Sequence, residues 1–374
     1  MIKKICYLDE DGRFGGPQQR MIMIAKEVIK DDEFEIKFLI PKNDTKFFRK
    51  KLNEYNLSYD EKNITRLSLE FKILIKYFFF FIFEIFTIRN YLKNEKFHIL
   101  QINSTSQFKG IIASLFLNIK RIWVIEDTNL GYLTKVIFLF LSNVSKCKII
   151  YTSKAVKNYY LKNQNLRNYQ KEIFAPVDPR IFNPKKRYKK LAFKKKGNIL
   201  ITTISGIVPV KGVESFIYVV SNIIKNYDNV QFLFVGDVVS SQKTYSKKIF
   251  KLFKSLDKNK FKFMSINRNI PQLLSNSDIF ICTSISEAGP MTVYEAITLN
   301  VPIITTNVGG VPQILQNNKT AYICKPNDNV GLVKATKKMI NLFVQFKKKN
   351  INLHKRIKKF DLLYVANEYK KIYN

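Results

Sequence analysis

The chain has 374 residues, 46% hydrophobic and 25% charged, too many for a single hydrophobic core and too apolar for a disordered chain, so two folded domains are expected. Its 64 Lys plus Arg against 29 Asp plus Glu give a formal charge of +35, which points to an anionic partner such as a phosphorylated substrate, an acidic membrane or nucleic acid. The Lys-, Asn- and Phe-rich, Gly- and Pro-poor composition fits codon drift onto solvated faces as well. The four cysteines, Cys6, Cys147, Cys282 and Cys324, are too scattered for a disulfide framework or a zinc site.

MIKKICYLDEDG opens with an apolar run that ends at Asp9, too short for a signal peptide, so a cytoplasmic protein is expected. KKICYLD reads as a strand, DEDGRFGGPQQ as a loop, RMIMIAKEVI as a helix and EIKFLIP as the next strand, which together make a βαβ unit. Phe71 to Tyr91 is phenylalanine-rich, yet Lys72, Lys76, Glu84 and Arg89 interrupt it, leaving far less than the roughly 20 apolar residues of a spanning helix. Taken alone, that stretch suits core packing, whereas in a basic first domain it suits docking on an acidic membrane surface. FHILQIN, RIWVIED and KIIYTS continue the strands, with helices near Ile111–Leu117 and Leu133–Leu141 between them. This alternation predicts a parallel sheet covered on both faces.

Residues 176–198, with three prolines and a dense basic run, read as an interdomain linker. NILITTIS restarts the alternation, followed by a helix in VESFIYVVSNIIKNY and a strand in VQFLFVGD. TYSKKIFKLFKSL, KFKFMS, IPQLLSNS and DIFICTS then read as helix, strand, short helix and strand. Beyond Val330 two amphipathic helices are expected, broken near Asn350.

The most informative stretch is SISEAGPMTVYEAITLNVPIITTNVGGVPQIL, which begins at Ser284. Pro290 is expected as the first residue of the helix MTVYEAIT, at the carboxyl end of the strand DIFICTS, where open α/β sheets bind ligands. The amides of Met291, Thr292 and Val293 at that helix N-terminus would form an anion site suited to a diphosphate. Glu287 before the helix and Glu295 in its second turn place two carboxylates on either side of it, able to accept from two diols. That is the outline of a nucleotide sugar. As a plain alternative, both glutamates are a solvated helix face.

With these residues the chain resembles retaining glycosyltransferases of the GT-B fold, family 4, whose E-x7-E signature is matched by Glu287 and Glu295. GGPQ (Gly15–Gln18) resembles the family's glycine-rich first loop, PVKG (Pro209–Gly212) its phosphate-binding lysine segment and FVGD (Phe234–Asp237) its next strand end, while PVDPRIF resembles its domain junction. The resemblance implies an α/β, GT-B architecture of two Rossmann-like doubly wound domains with a cleft between them. Residues 1–180 would bind the acceptor and 181–355 the nucleotide sugar, with a terminal helix in 356–374 packing back on the first domain.

The resemblance further implies that Glu287 contacts the transferred sugar, that Glu295 binds the ribose hydroxyls and that Lys211 stabilises the leaving diphosphate, with neither a metal nor a cofactor beyond the donor. Gly15, Gly16, Ala288, Gly289, Pro290, Met291, Thr292 and Val293 complete the donor set. Arg268, in the SINRNIPQLL turn, would stack on the base; the alternative for it is an exposed arginine. Asn103 and Ser104 are the acceptor-side candidates. The implied activity is retaining transfer from a nucleotide sugar to a glycan or lipid-linked acceptor, in cell-surface polysaccharide synthesis.

The chain departs from the family pattern at two chemical positions. Gly206 stands where an arginine is common, so a diphosphate cation is missing unless Arg13 or Arg20 supplies it. RIWVIEDTNLG carries Glu126 and Asp127 where a histidine is common, and either carboxylate could meet the sugar or the acceptor hydroxyl, with Asp127 as a helix cap the alternative. A noncatalytic protein of the same fold stays open, as does a nucleic-acid binder; no nucleic-acid-binding motif supports the latter, and nucleic acid is not an expected partner.

Overall fold

The computed structural model describes residues 2–128, 131–161, 169–239, 242–265, 269–317, 321–343 and 357–374. The chain divides into two compact units, Met1–Pro176 with Leu362–Asn374, and Val177–Asp361.

In the first unit, seven strands form one sheet: β1 (Lys3–Leu8), β2 (Phe34–Pro41), β3 (Ser58–Lys62), β4 (Ile99–Asn103), β5 (Lys120–Ile125), β6 (Lys148–Tyr151) and β7 (Gln170–Glu172). Their order is β3-β2-β1-β4-β5-β6-β7, with every pair parallel. All five residues of β4 are buried, as a parallel strand covered on both faces requires. The intervening helices are α1 (Gly16–Val28), α2 (Lys46–Glu54), α3 (Phe71–Asn94), α4 (Lys109–Ser114), α5 (Tyr132–Ser145) and α6 (Lys154–Leu161). Because parallel crossovers are right-handed, α1 and α2 lie on one face of the sheet and α3, α4 and α5 on the other.

Six further strands build the second unit: β8 (Ile199–Ile204), β9 (Val230–Val235), β10 (Phe261–Met264), β11 (Ile279–Cys282), β12 (Ile303–Thr306) and β13 (Ala321–Cys324), in the order β10-β9-β8-β11-β12-β13, again all parallel. Their helices are α7 (Val213–Ile223), α8 (Lys243–Lys254), α9 (Ile270–Ser275), α10 (Met291–Thr298), α11 (Val311–Ile314) and α12 (Asn329–Asn341). The strand order reverses between β1 and β4 in one sheet and between β8 and β11 in the other, and at such switch points neighbouring loops part in opposite directions to leave room for a ligand.

The last helix, α13 (Leu362–Tyr373), packs against α1 of the first unit. Tyr373 is held from the sheet side, its hydroxyl bonding the Tyr7 hydroxyl and donating to Gln101 Oε1 at 2.7 Å, while Lys370 pairs with Asp31 at 2.6 Å.

Two expectations need correction. Residues 176–198 are not a free linker: Val177 donates its amide to Phe360 O at 2.7 Å, and the basic run is fastened to the second unit. There Lys194 pairs with Asp278 at 2.5 Å, the amide of Leu191 donates to Asn276 and that of Lys195 to Gln231. Side chains on the β9 and β11 side of the unit supply the partners that a strand or helix would otherwise give this backbone. Core packing of the phenylalanine stretch is also overturned, since α3 buries Tyr77, Glu84, Ile88, Tyr91 and Leu92 while Phe78, Phe79 and Phe83 remain about two-thirds exposed.

Candidate active site in the second unit

The loops after β8 and β11 meet at the switch point of the second sheet. After β8 the chain makes a single 3-10 turn, Pro209–Lys211, and Gly212 then turns into α7 with φ +61°. A Cβ on Gly212 would lie 2.0 Å from the carbonyl oxygen of Thr283, so only glycine permits this approach. Thr283 Oγ1 donates to Gly212 O at 2.9 Å, and the amide of Ile285 donates to Val210 O at 2.8 Å. These bonds lock the PVKG segment to the strand end that carries Glu287.

The result is a direct contact: Lys211 Nζ lies 2.5 Å from Glu287 Oε1, and Ser284 Oγ donates to the same oxygen at 2.8 Å. Thr306, at the end of β12, donates its hydroxyl to Ser284 O at 2.5 Å. Burial by itself would lower the Lys211 pKa, but the charge and hydrogen bond of Glu287 outweigh it and hold the pKa above the usual lysine value. The ammonium is therefore charged at any physiological pH. Gly309, at φ +51°, comes so close beneath this loop that a Cβ would sit 2.6 Å from Ala288 O and 2.9 Å from Glu287 O.

Pro290 occupies the cap position of α10 and not its first turn, and Val293 is not a free donor, because its amide bonds Pro290 O at 3.0 Å. The anion site is thus smaller than the sequence suggested. It consists of the Met291 and Thr292 amides, neither of which has an acceptor among the described residues, with Gly289 and Pro290 before them. Glu295 lies one turn into α10, and burial alone pushes its carboxyl up to about 7; no hydrogen bond or ion pair to it occurs among the described residues. Lys211, Glu287 and the α10 N-terminus are brought together, with Glu295 on the same short helix. Arg268 lies outside the described residues; next to it Asn269 caps α9, accepting from the Gln272 amide at 3.0 Å.

The first-unit candidates have other surroundings. Gly15 and Gly16 are exposed at the start of α1, and nothing stands within 4 Å of a Cβ on Gly16. Their loop is anchored from behind: the Gly15 amide donates to Gln18, Gln18 to Asp9 at 2.6 Å, and Gln107 to Asp9 at 2.9 Å. Neither arginine stands free to replace the missing cation. Arg13 is paired with Asp11 at 2.6 Å, and Arg20, 1% exposed, faces Glu126 at 3.2 Å while donating to Ile173 O and the Tyr369 hydroxyl.

Glu126 also accepts from Asn103 Nδ2 at 2.6 Å. Burial raises its carboxyl to about 7 in spite of Arg20 and Asn103, which pull the other way. Asp127 does not cap the next helix, whose cap position is Gly131; it accepts from the Thr105 hydroxyl at 2.8 Å, from the Ser104 hydroxyl at 3.4 Å and from the Tyr160 hydroxyl. Ser104 stands in a left-handed conformation, φ 74°, its carbonyl held by the Trp123 indole at 2.8 Å.

Sequence reasoning passed over Ser284, Thr306 and Gly309. Ser284 and Thr306 close the strands on either side of the glutamate loop, a position that a parallel-sheet reading makes predictable. Gly309 was visible as half of a Gly-Gly pair.

Residues 184–360 match the family described as glycosyl transferases, group 1. Among curated proteins, the phosphatidylinositol N-acetylglucosaminyltransferase GPI3 subunit of Saccharomyces cerevisiae is 26% identical over 207 residues, which is 54% of this chain and 43% of that protein. The match thus spans less than half the length of that relative. Among solved structures, a glycosyltransferase from Rickettsia africae superposes with a TM-score of 0.81 at 20% identity, covering 100% of this chain and 98% of the other. HepE of Anabaena, solved in complex with UDP-glucose, gives 0.79 at 18% identity over 99% and 98%. The family match lies within the second unit and the structural likeness runs through both sheets, so that the second unit is similar to the group 1 glycosyl transferases and the chain has the GT-B fold.

Proposed function

We propose that the protein transfers a sugar from a nucleotide-sugar donor to a glycan or lipid-linked acceptor, with retention at the anomeric carbon and without a metal ion. The observation that carries this reading is the Lys211–Glu287 contact beside the open amides of α10. In the free protein the carboxylate neutralises the ammonium. An arriving diphosphate competes for Lys211 and for the Met291 and Thr292 amides, which releases Glu287 to accept from hydroxyls of the sugar.

As the glycosidic bond breaks, negative charge grows on the leaving phosphate, and a fixed cation and helix terminus aimed at it lower the barrier without a Lewis acid. Glu295 accepts from the ribose diol. Its partly buried carboxyl ionises as those hydroxyls arrive, since bonds to the charged form favour it. In the first unit, Glu126 and Asp127 hold Asn103, Ser104 and Thr105 in place, and the acceptor binds against these residues and Gly15–Gly16. The UDP-glucose bound by the Anabaena protein and the lipid named for the yeast relative support a uridine donor and a lipid-linked acceptor as the first to try. Among the described residues no helix is long and apolar enough to cross a membrane, so the protein meets such an acceptor from the membrane surface.

A thermal-shift series against nucleotide sugars and free nucleotides tests the donor half. A ligand that binds the native state raises its apparent stability by mass action, by about 2.7 kcal/mol at a hundredfold excess over Kd. A rise with one nucleotide series that disappears in Glu295→Ala is expected. Folded protein that responds to no nucleotide sugar would leave a noncatalytic member of the fold.

A further inference from the structure

Helix α3 is inside out. Phe71, Ile75, Phe78, Ile82 and Phe86 recur at helical spacing along one side, and all are more than half exposed; Phe79 and Phe83 broaden the same stripe. The opposite side carries the helix's single carboxylate, Glu84, and buries it. Glu84 there meets Lys109 of α4 at 2.5 Å and accepts from the Thr65 hydroxyl at 2.7 Å. Lys109, fully buried, also lies 4.0 Å from the centre of the Tyr77 ring. A helix that only had to pack in water would turn its phenylalanines in and its glutamate out.

The stripe does not end with α3. Helix α4 packs against both α3 and α5, and its loop presents Phe116, 84% exposed, under the guanidinium of Arg89. On α5, Leu133, Val136, Phe140 and Val144 face outward at the same helical spacing. The outer surface of the α3–α4–α5 layer is therefore a run of aromatic and aliphatic side chains. Lysines flank it: Lys72, Lys76 and Lys93 are exposed on α3, and neither α3 nor α5 shows a carboxylate on its surface.

We propose that this face docks on an anionic lipid bilayer, with α3 lying along the surface, its phenylalanines among the acyl chains near the headgroups and its lysines on the lipid phosphates. An apolar helix face beside unopposed lysines is the pattern that binds acidic lipid surfaces. Charge argues against a second copy of the chain as the occupant, because its patch would bring the same lysines, while the carboxylates at the ends of α3, Glu70 and Glu95, are already paired with Arg66 and Lys37. This surface deepens the reading of a lipid-linked acceptor given above but rests on separate residues, all within the first unit.

The test is flotation of the full chain with vesicles of phosphatidylcholine, with and without phosphatidylglycerol, beside a Phe79→Ser/Phe83→Ser double variant. Both residues are exposed, so the variant should melt as the wild type does, and the nucleotide-sugar thermal shift read on the same samples keeps failure of docking distinct from failure of the donor reading. The wild type is expected to float with the phosphatidylglycerol vesicles, less at high salt, and the double variant to bind at least about tenfold more weakly. A Phe79→Trp variant should be quenched by brominated lipid, while the buried Trp123 is beyond its reach. Equal flotation of wild type and double variant, or none for either, overturns the proposal. A concentration-dependent dimer that the double variant abolishes, with no flotation, overturns it in favour of a second copy.

Discussion

Three glutamates of this chain have carboxyls pushed up to about 7, Glu10 and Glu126 in the first unit and Glu295 in the second, and the surroundings of the last two differ in a way that separates structure from chemistry. Glu126 is a closed case: burial raises it, and Arg20 and Asn103 already bind the carboxyl and pull it part of the way back. Glu295 is raised by burial alone and has no partner among the described residues. A carboxyl already held by its own fold serves the fold, whereas one that is partly buried and has no protein partner can gain from whatever arrives. Glu287 stands between them, engaged by Lys211 and Ser284 at the protein surface, where an anion can take the cation away.

The sharpest way to break this contrast is Arg20→Met. It leaves Glu126 buried with Asn103 as its remaining named partner, and losing one member of a buried pair costs about 3–5 kcal/mol. Chemical denaturation should show that loss while nucleotide-sugar binding stays as in the wild type. The opposite pattern, full stability with lost binding, would make Arg20 the diphosphate cation that Gly206 does not provide. Lys211→Ala should invert the result. Its pair, more exposed than that of Arg20 and Glu126, is expected to contribute about 1 kcal/mol to stability, but removal of a charge stabiliser from the reacting phosphate should cut turnover by roughly 10²–10³-fold, measured as donor consumed with acceptor present.

How much of this was legible in the sequence follows from where water sits. The strands KKICYL, ILQIN and VQFLFV are apolar because both faces of a parallel sheet are covered, and they were read correctly. β3, SYDEK, is a polar, half-exposed edge strand and has no such signature. The orientation of α3 could not be read, because hydrophobic pattern gives a helix its apolar side and says nothing about which solvent that side meets. Burial of Arg20 was hidden for a related reason. Among 64 basic residues, nothing local marks the one whose partners, Glu126, Ile173 and Tyr369, lie over a hundred positions away. The glutamate loop was legible because its chemistry is local, with both carboxylates, the helix start and Ser284 within twelve residues.

Glu295 offers a smaller effect with a definite sign. If the donor is bound by the charged form, its carboxyl pKa falls from about 7 on binding, so a proton leaves as the ligand enters. Affinity for a nucleotide sugar, whose diphosphate diester does not titrate in this range, should then be constant above about pH 7 and weaken below it, approaching tenfold per pH unit. Titration calorimetry across pH 5.5–8, as a rough working span, would follow this, and Glu295→Gln should flatten the curve. Tighter binding on acidification would mean that the protonated carboxyl donates to the ligand.

The smallest expected change is a gain. Gly206 follows β8 with no left-handed φ, and a Cβ there would meet only Val239 Cγ2, at 3.7 Å, an ordinary contact. Nothing in the backbone therefore demands glycine, unlike Gly212, where any side chain would collide with Thr283 O. Gly206→Arg should fold normally and place a second cation five residues before Lys211. A charge-assisted bond to a diphosphate contributes about 1.5–3 kcal/mol when well enclosed, but this position is partly open to solvent, and about 1 kcal/mol, or roughly fivefold in affinity, is the fair expectation. A gain confined to diphosphate ligands and absent in Lys211→Ala would place both side chains on one anion. A gain shared by monophosphates and sulfate would report only added charge on an already basic protein, and would move the diphosphate away from the β8 loop.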